Sequence, residues 1–194
     1  PVLSTFMRNF KKTTGISLNE LFGKKLDTEA LCAVGDKIGA DVPICIKGGT
    51  LYSITSGDMI AAECDTNCVF VCIYPDFTLS TAEAYAKYDE NPTEINPHYA
   101  DFVSSIVCGS LSEGAGFISN VFTKIYHDSR IEEMKTDLLE SGAVISEMTG
   151  SGSVVFGVFE SEETAVDAKN ILSGKYPHVF TTRPVNSGVY VIER

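Results

Sequence analysis

Two short segments of this chain hold residues whose types and spacing could do chemistry. The first is Lys37-Ile38-Gly39-Ala40-Asp41-Val42-Pro43-Ile44-Cys45-Ile46-Lys47-Gly48-Gly49-Thr50, with one carboxylate, Asp41, at its centre. Gly39 can end a preceding helix. Pro43 pushes Val42 toward extended geometry and offers no amide hydrogen. Gly48-Gly49 permits a tight turn or close backbone approach. Asp41 is therefore expected at a helix–strand junction. There it either caps a turn or presents a proton-accepting carboxylate to a ligand. The second segment is Gly150-Ser151-Gly152-Ser153, between two apolar runs. Its small residues and free amides suit either an anion-binding nest or a tight hairpin-like connection. It is not a Walker loop, which needs a lysine and a following helix. Ser119-Asn120 precede an apolar run and either face a cleft or cap a helix.

The elements that must position these residues follow from periodicity. Apolar spacing predicts an amphipathic helix over Val2–Lys12. Asp27 or Thr28 caps a helix over Glu29–Ile38. Strands are expected at Ile44–Ile46, Gly49–Ile54 and Met59–Ala62, with a turn at Ser56-Gly57-Asp58. The β-branched and aromatic run Cys68–Tyr74 reads as a buried strand. Ser80 and Glu83 form a capping box for a helix through Tyr88. Helices are then expected at His98–Cys108, at Ile118–His127 and at Ser129–Ser141, the last with Ile131, Met134, Leu138 and Leu139 inward. Strands Ala143–Met148 and Val154–Phe159, a helix ending near Leu172, and strands Val179–Thr182 and Val189–Ile192 complete the chain. This order predicts an α+β architecture, an antiparallel sheet with helices on one face.

Composition bounds the function. The chain has 194 residues, 44% hydrophobic and 21% charged, with a net charge of −11. That surface repels nucleic acid and anionic lipid. An anionic substrate would need a locally positive cleft. The six cysteines include no CxxC pair. Cys64, Cys68 and Cys72 recur every four residues, but on a strand Cys68 and Cys72 stand too far apart to share a small metal site. They read as buried, reduced thiols, which fits a cytoplasmic protein. His98, His127 and His178 lack metal-ligand spacing, and Lys47 reads as an exposed strand-end residue. No apolar run is long enough to cross a membrane.

Four segments in order carry a family resemblance: Gly39-Ala40-Asp41-Val42-Pro43 with Gly48-Gly49-Thr50, Ser80-Thr81-Ala82-Glu83-Ala84-Tyr85, Ser119-Asn120, and Met148 to Gly157. Together they resemble the 4-diphosphocytidyl-2-C-methyl-D-erythritol kinases of the GHMP kinase superfamily, over nearly the whole chain. The resemblance implies a ferredoxin-like C-terminal domain over 68–194 and part of the first kinase domain over 1–67. It implies Asp41 as catalytic base, with Ala40, Val42, Pro43 and Asn120 beside the substrate. Gly150, Ser151, Gly152 and Ser153 would lie against ATP, used with Mg²⁺, and the acceptor would be 4-diphosphocytidyl-2-C-methyl-D-erythritol. Thr149 stands where the family usually has Ser, and Ser153-Val154 where it has Pro-Thr; neither change removes a glycine. The family's N-terminal strand, with its lysine and asparagine, and its GLGGGSS phosphate loop are not among these residues. The segment alone is therefore expected to be inactive and to self-associate through exposed edges. The alternative is a non-catalytic ferredoxin-like binding or assembly module.

Overall fold

The computed structural model describes residues 26–39, 41–52, 60–62, 67–90, 92, 99–107, 111–186 and 188. Ala40, His98, Cys64, Cys108, the Val2–Lys12 helix, the Ser56-Gly57-Asp58 turn and the Val189–Ile192 strand lie outside them. The chain forms two compact units: Pro1–Ile60 with Val185–Arg194, and Ala61–Pro184.

In the first unit, the Asp27 carboxylate accepts the Ala30 amide at 2.8 Å. It thereby satisfies one of the donors that a helix N-terminus leaves open. Helix α1 runs Thr28–Asp36, and the amides of Ile38 and Gly39 close back on the Gly35 carbonyl. Helix α2, Asp41–Lys47, follows at once. The strand expected at Ile44–Ile46 is therefore a helix, and Asp41 is its first residue rather than part of a helix–strand turn. Pro43 sits in the first turn, where an amide hydrogen would have no intrahelical acceptor, so its absence does not oppose the helix. Burial decides against the β-propensity of Val42, Ile44 and Ile46. Pro43 is buried, and Val42 packs so closely on Gly35 that a Cβ there would lie 2.8 Å from Val42 Cγ1. Gly48 and Gly49, both at positive φ, lead into β1, Thr50–Tyr52. Strand β2, Ile60–Ala62, holds the passage from the first unit to the second.

The second unit contains β3 (Val69–Tyr74), α3 (Thr81–Glu90), α4 (Tyr99–Val107) and α5 (Leu111–Gly114) with the 3₁₀ turn Ala115–Phe117. It continues through α6 (Val121–Tyr126), α7 (Ser129–Glu140), β4 (Ile145–Met148), β5 (Val155–Phe159), α8 (Glu162–Leu172) and β6 (His178–Thr182). Its sheet has the order β4-β5-β3-β6, antiparallel throughout. Numbering the four strands along the chain gives 2-3-1-4, which is the ferredoxin-like βαββαβ arrangement.

Alternation along β3 sets the core. Val69, Val71 and Ile73 are buried and pack with Ile131, Met134 and Leu138 of α7 and Ala165, Ala168 and Leu172 of α8. Leu139, expected inward, is 48% exposed. One residue past Leu138 it lies about 100° around the helix, off the i, i+3, i+7 stripe. The opposite sheet face is not bare. Phe70, Ile145, Phe156 and Val158 pack with Phe102, Leu111, Ala115 and Ile118, so α4, α5 and the 3₁₀ turn cover part of it. That turn was unexpected from the sequence, and α6 starts at Val121 rather than Ile118 because Asn120 caps it. Among the described residues, no helix is long and apolar enough to cross a membrane.

Candidate functional site

The loop from Thr149 to Val154 joins the core strands β4 and β5. The Thr149 amide donates to the Val154 carbonyl at 2.9 Å and closes the base, and the Gly152 amide donates to Thr149 O at 3.1 Å. Between them, Gly150 and Gly152 take φ of 56° and 95°, a region that side chains with a Cβ rarely occupy. The two glycines face different surroundings. A Cβ on Gly152 would lie 2.8 Å from both Leu79 Cδ1 and Met148 Sδ, whereas a Cβ on Gly150 would meet nothing within 4 Å. Gly152 lets the loop seat on the core, and Gly150 forms its open tip.

Three other segments fix this loop, two through side chains and one through a backbone carbonyl. Asn120 Nδ2 donates to the carbonyls of Met148 at 2.7 Å and Gly150 at 2.8 Å. Its Oδ1 accepts the Phe122 amide at 2.9 Å, capping α6. Both amide hydrogens and the carbonyl oxygen of this one side chain are thus engaged within the chain. The Ser151 hydroxyl meets that of Thr81, at the start of α3, at 2.8 Å. The Ser153 hydroxyl donates to Phe77 O at 2.6 Å. The carbonyls of Met148 and Gly150 are held by Asn120, while the amides of Gly150, Ser151 and Ser153 donate to no acceptor among the described residues. Free amides at a tip whose carbonyls are tied down make a polarity that suits an anion.

Glu147, immediately before the loop, was not singled out from the sequence. It is 8% exposed. Its Oε1 accepts from Thr123 Oγ1 and from the Met148 amide, both at 2.8 Å, and its Oε2 lies 3.3 Å from Lys135 Nζ. The available signal was a lone carboxylate in the strand Ile145-Ser146-Glu147-Met148, where burial demands a partner.

Asp41 belongs to the first unit. It is exposed at the start of α2, where the helix dipole favours a negative charge. Val42 and Pro43 occupy the same first turn, with Pro43 buried and Val42 on α1. Lys47, in the last turn of the same helix, is exposed. It ends a helix rather than a strand. The histidines and cysteines, which lack metal-ligand spacing in the sequence, take varied positions. His178 stacks edge-on against Tyr74, and His127 caps α6 in a left-handed conformation. Cys68 is buried and Cys45 exposed, and burial pushes the Cys72 thiol up from its ordinary value. Among the described residues, no group of three or more His, Cys, Asp or Glu side chains could hold a metal ion.

The profile described as GHMP kinases C terminal matches residues 125–178, from the end of α6 to the start of β6. The 4-diphosphocytidyl-2-C-methyl-D-erythritol kinase of Caldanaerobacter subterraneus subsp. tengcongensis is 30% identical over 181 residues, covering 92% of this chain and 63% of that protein. Its namesake from Lachnoclostridium phytofermentans is 35% identical over 157 residues, covering 78% of this chain and 53% of that one. Residues 125–178 form a C-terminal domain of the GHMP kinases. The chain spans about three-fifths of the length of the curated relatives it matches. Solved structures agree on the fold. The homoserine kinase of Cytophaga hutchinsonii superposes with a TM-score of 0.75 at 16% identity, covering 89% of this chain and 62% of that one. A 4-(cytidine 5'-diphospho)-2C-methyl-D-erythritol kinase does so with a TM-score of 0.62 at 18% identity, covering 84% and 59%. This GHMP kinase C-terminal domain falls on the ferredoxin-like unit that presents the Gly150 loop.

Proposed function

We propose that this chain is part of an ATP-dependent kinase that phosphorylates the 2-hydroxyl of 4-diphosphocytidyl-2-C-methyl-D-erythritol, a step of non-mevalonate isoprenoid precursor synthesis. The reading is carried by one observation: a glycine loop whose carbonyls are tied to Asn120 and whose tip amides are free. The names of the curated relatives support the choice of acceptor. In this reading the amides of Gly150, Ser151 and Ser153 receive phosphate oxygens of ATP, and the loop's rigidity keeps those donors aimed before the nucleotide arrives. Asp41 accepts, or orients, the proton of the acceptor hydroxyl as that oxygen attacks the γ-phosphorus; the leaving group is ADP. Val42 and Pro43 hold the backbone of Asp41 in place, and Ala40 precedes it beside the acceptor.

Mg²⁺, entering on the triphosphate, supplies charge neutralisation at the transferring phosphoryl group. The full-length protein should therefore convert ATP and 4-diphosphocytidyl-2-C-methyl-D-erythritol to ADP and a phosphomonoester, visible by ³¹P NMR. Nucleotide hydrolysis without a new phosphomonoester would refute the assignment.

A further inference from the structure

We infer that Asn120 is a positioning residue that sets nucleotide affinity through the Gly150 loop. This rests on the reading of that loop as the ATP phosphate site. The argument is one of saturation. A carboxamide has two donor hydrogens and a carbonyl acceptor. In Asn120 the donors go to Met148 O and Gly150 O at 2.7 and 2.8 Å, and the oxygen accepts from Phe122 N at 2.9 Å. The hydrogens are thus spent inside the chain. The two carbonyls they hold lie on either side of Thr149, the residue where β4 gives way to the loop. Fixing both sets the peptide planes at the loop entrance, and with them the direction of the amides at the tip. Asn120 also caps α6, so it couples the loop to a helix whose Thr123 bonds the buried Glu147 at 2.8 Å. Glu147 in turn accepts the Met148 amide at 2.8 Å. The Met148 peptide is therefore gripped on both sides, by Asn120 at its carbonyl and by Glu147 at its amide. Nucleotide affinity thus depends on a side chain committed to the loop rather than to the ligand.

Two substitutions separate the helix cap from the grip on the loop. Asn120→Asp and Asn120→Ser both leave an oxygen able to cap α6. The first turns a carboxylate oxygen toward two carbonyl oxygens, and the second replaces two amide donors with one hydroxyl on a shorter side chain. In the full-length protein, both should raise the KM for Mg·ATP, roughly tenfold if two backbone hydrogen bonds are lost. The KM for the acceptor should stay within about twofold, less than one ordinary hydrogen bond is worth. Melting temperature should change little, because the bonded carbonyls belong to a part-exposed loop. Gly150→Val is measured alongside. If Gly150→Val impairs ATP use while both Asn120 variants keep the unmodified KM, the role of Asn120 is overturned and the loop assignment stands. If all three variants leave ATP use unchanged, the loop assignment falls as well. A selective rise in the acceptor KM would instead make Asn120 a substrate contact and overturn the proposal.

Discussion

At the scale of single residues, the proposed chemistry divides between a carboxylate and a glycine loop. Asp41→Asn in the full-length protein should lower kcat by about 10²–10⁴-fold, the usual contribution of a positioned base. The acceptor KM should change far less, because proton handling acts mainly in the transition state. A kcat within about threefold of the unmodified enzyme, well short of that range, would remove Asp41 from the mechanism. The loop glycines should fail in different ways. Gly152→Val places a β-branched residue at φ 95° against Leu79 and Met148. It should lower the melting temperature as well as ATP use. Gly150→Val keeps the strain of φ 56° but meets open space. It should chiefly raise the KM for ATP by crowding the tip amides. Equal losses of stability in the two variants would contradict the division between a seated and a free glycine.

At the scale of elements, much was legible where local signals and packing agree. The β3, β4 and β5 strands, α7, α8 and the Ser80 cap of α3 follow directly from apolar periodicity and capping chemistry; Ser80 Oγ accepts the Glu83 amide at 3.3 Å. The strand expected at Ile44–Ile46 failed because its alternation of β-branched residues is outweighed by burial of Pro43 and the close approach of Val42 to Gly35, a contact between two helices. The cap at Asn120 was readable, since it bonds two residues away. Its grip on Met148 and Gly150 was not, since those partners lie 28 and 30 residues on and are backbone groups of no particular sequence. Glu147 escaped for the same reason. Helix α7 offers a test of the elements themselves. Asp128 caps it through the Arg130 amide at 2.9 Å, and the Arg130 guanidinium stacks on the Phe77 ring. The side-chain hydrogen bond from Arg130 holds the Asp128 carboxyl below its ordinary value, against burial that pushes it up. A depressed carboxyl stabilises the fold above its unfolded value and loses that contribution as pH falls. Asp128→Ala should therefore cost about 1 kcal/mol near neutral pH. The difference should shrink as pH drops below about 4, the ordinary carboxylate value. Thermal melts across pH 3–7 check this, and a pH-independent difference would deny the ionised cap its role.

At the scale of the whole molecule, four short motifs in order carried the resemblance to the kinases, and the ferredoxin-like unit accounts for the placement of one proposed site. The strand order β4-β5-β3-β6 puts the β4–β5 connection at one end of the sheet, and Asn120, Thr81 and Phe77 hold it from neighbouring segments. The proposed base lies in the other unit. The central claim, that the intact protein is a kinase for one nucleotide-linked alcohol, is tested most directly by acceptor choice. The full-length protein is supplied with Mg·ATP and, separately, 4-diphosphocytidyl-2-C-methyl-D-erythritol, homoserine and mevalonate, and the phosphorylated products are measured by mass spectrometry. The account predicts a kcat/KM for the first at least about 10²-fold above the others, the discrimination expected when a site's polar groups are built for one substrate. Preferential phosphorylation of homoserine or mevalonate, or no phosphorylation of any, would contradict it.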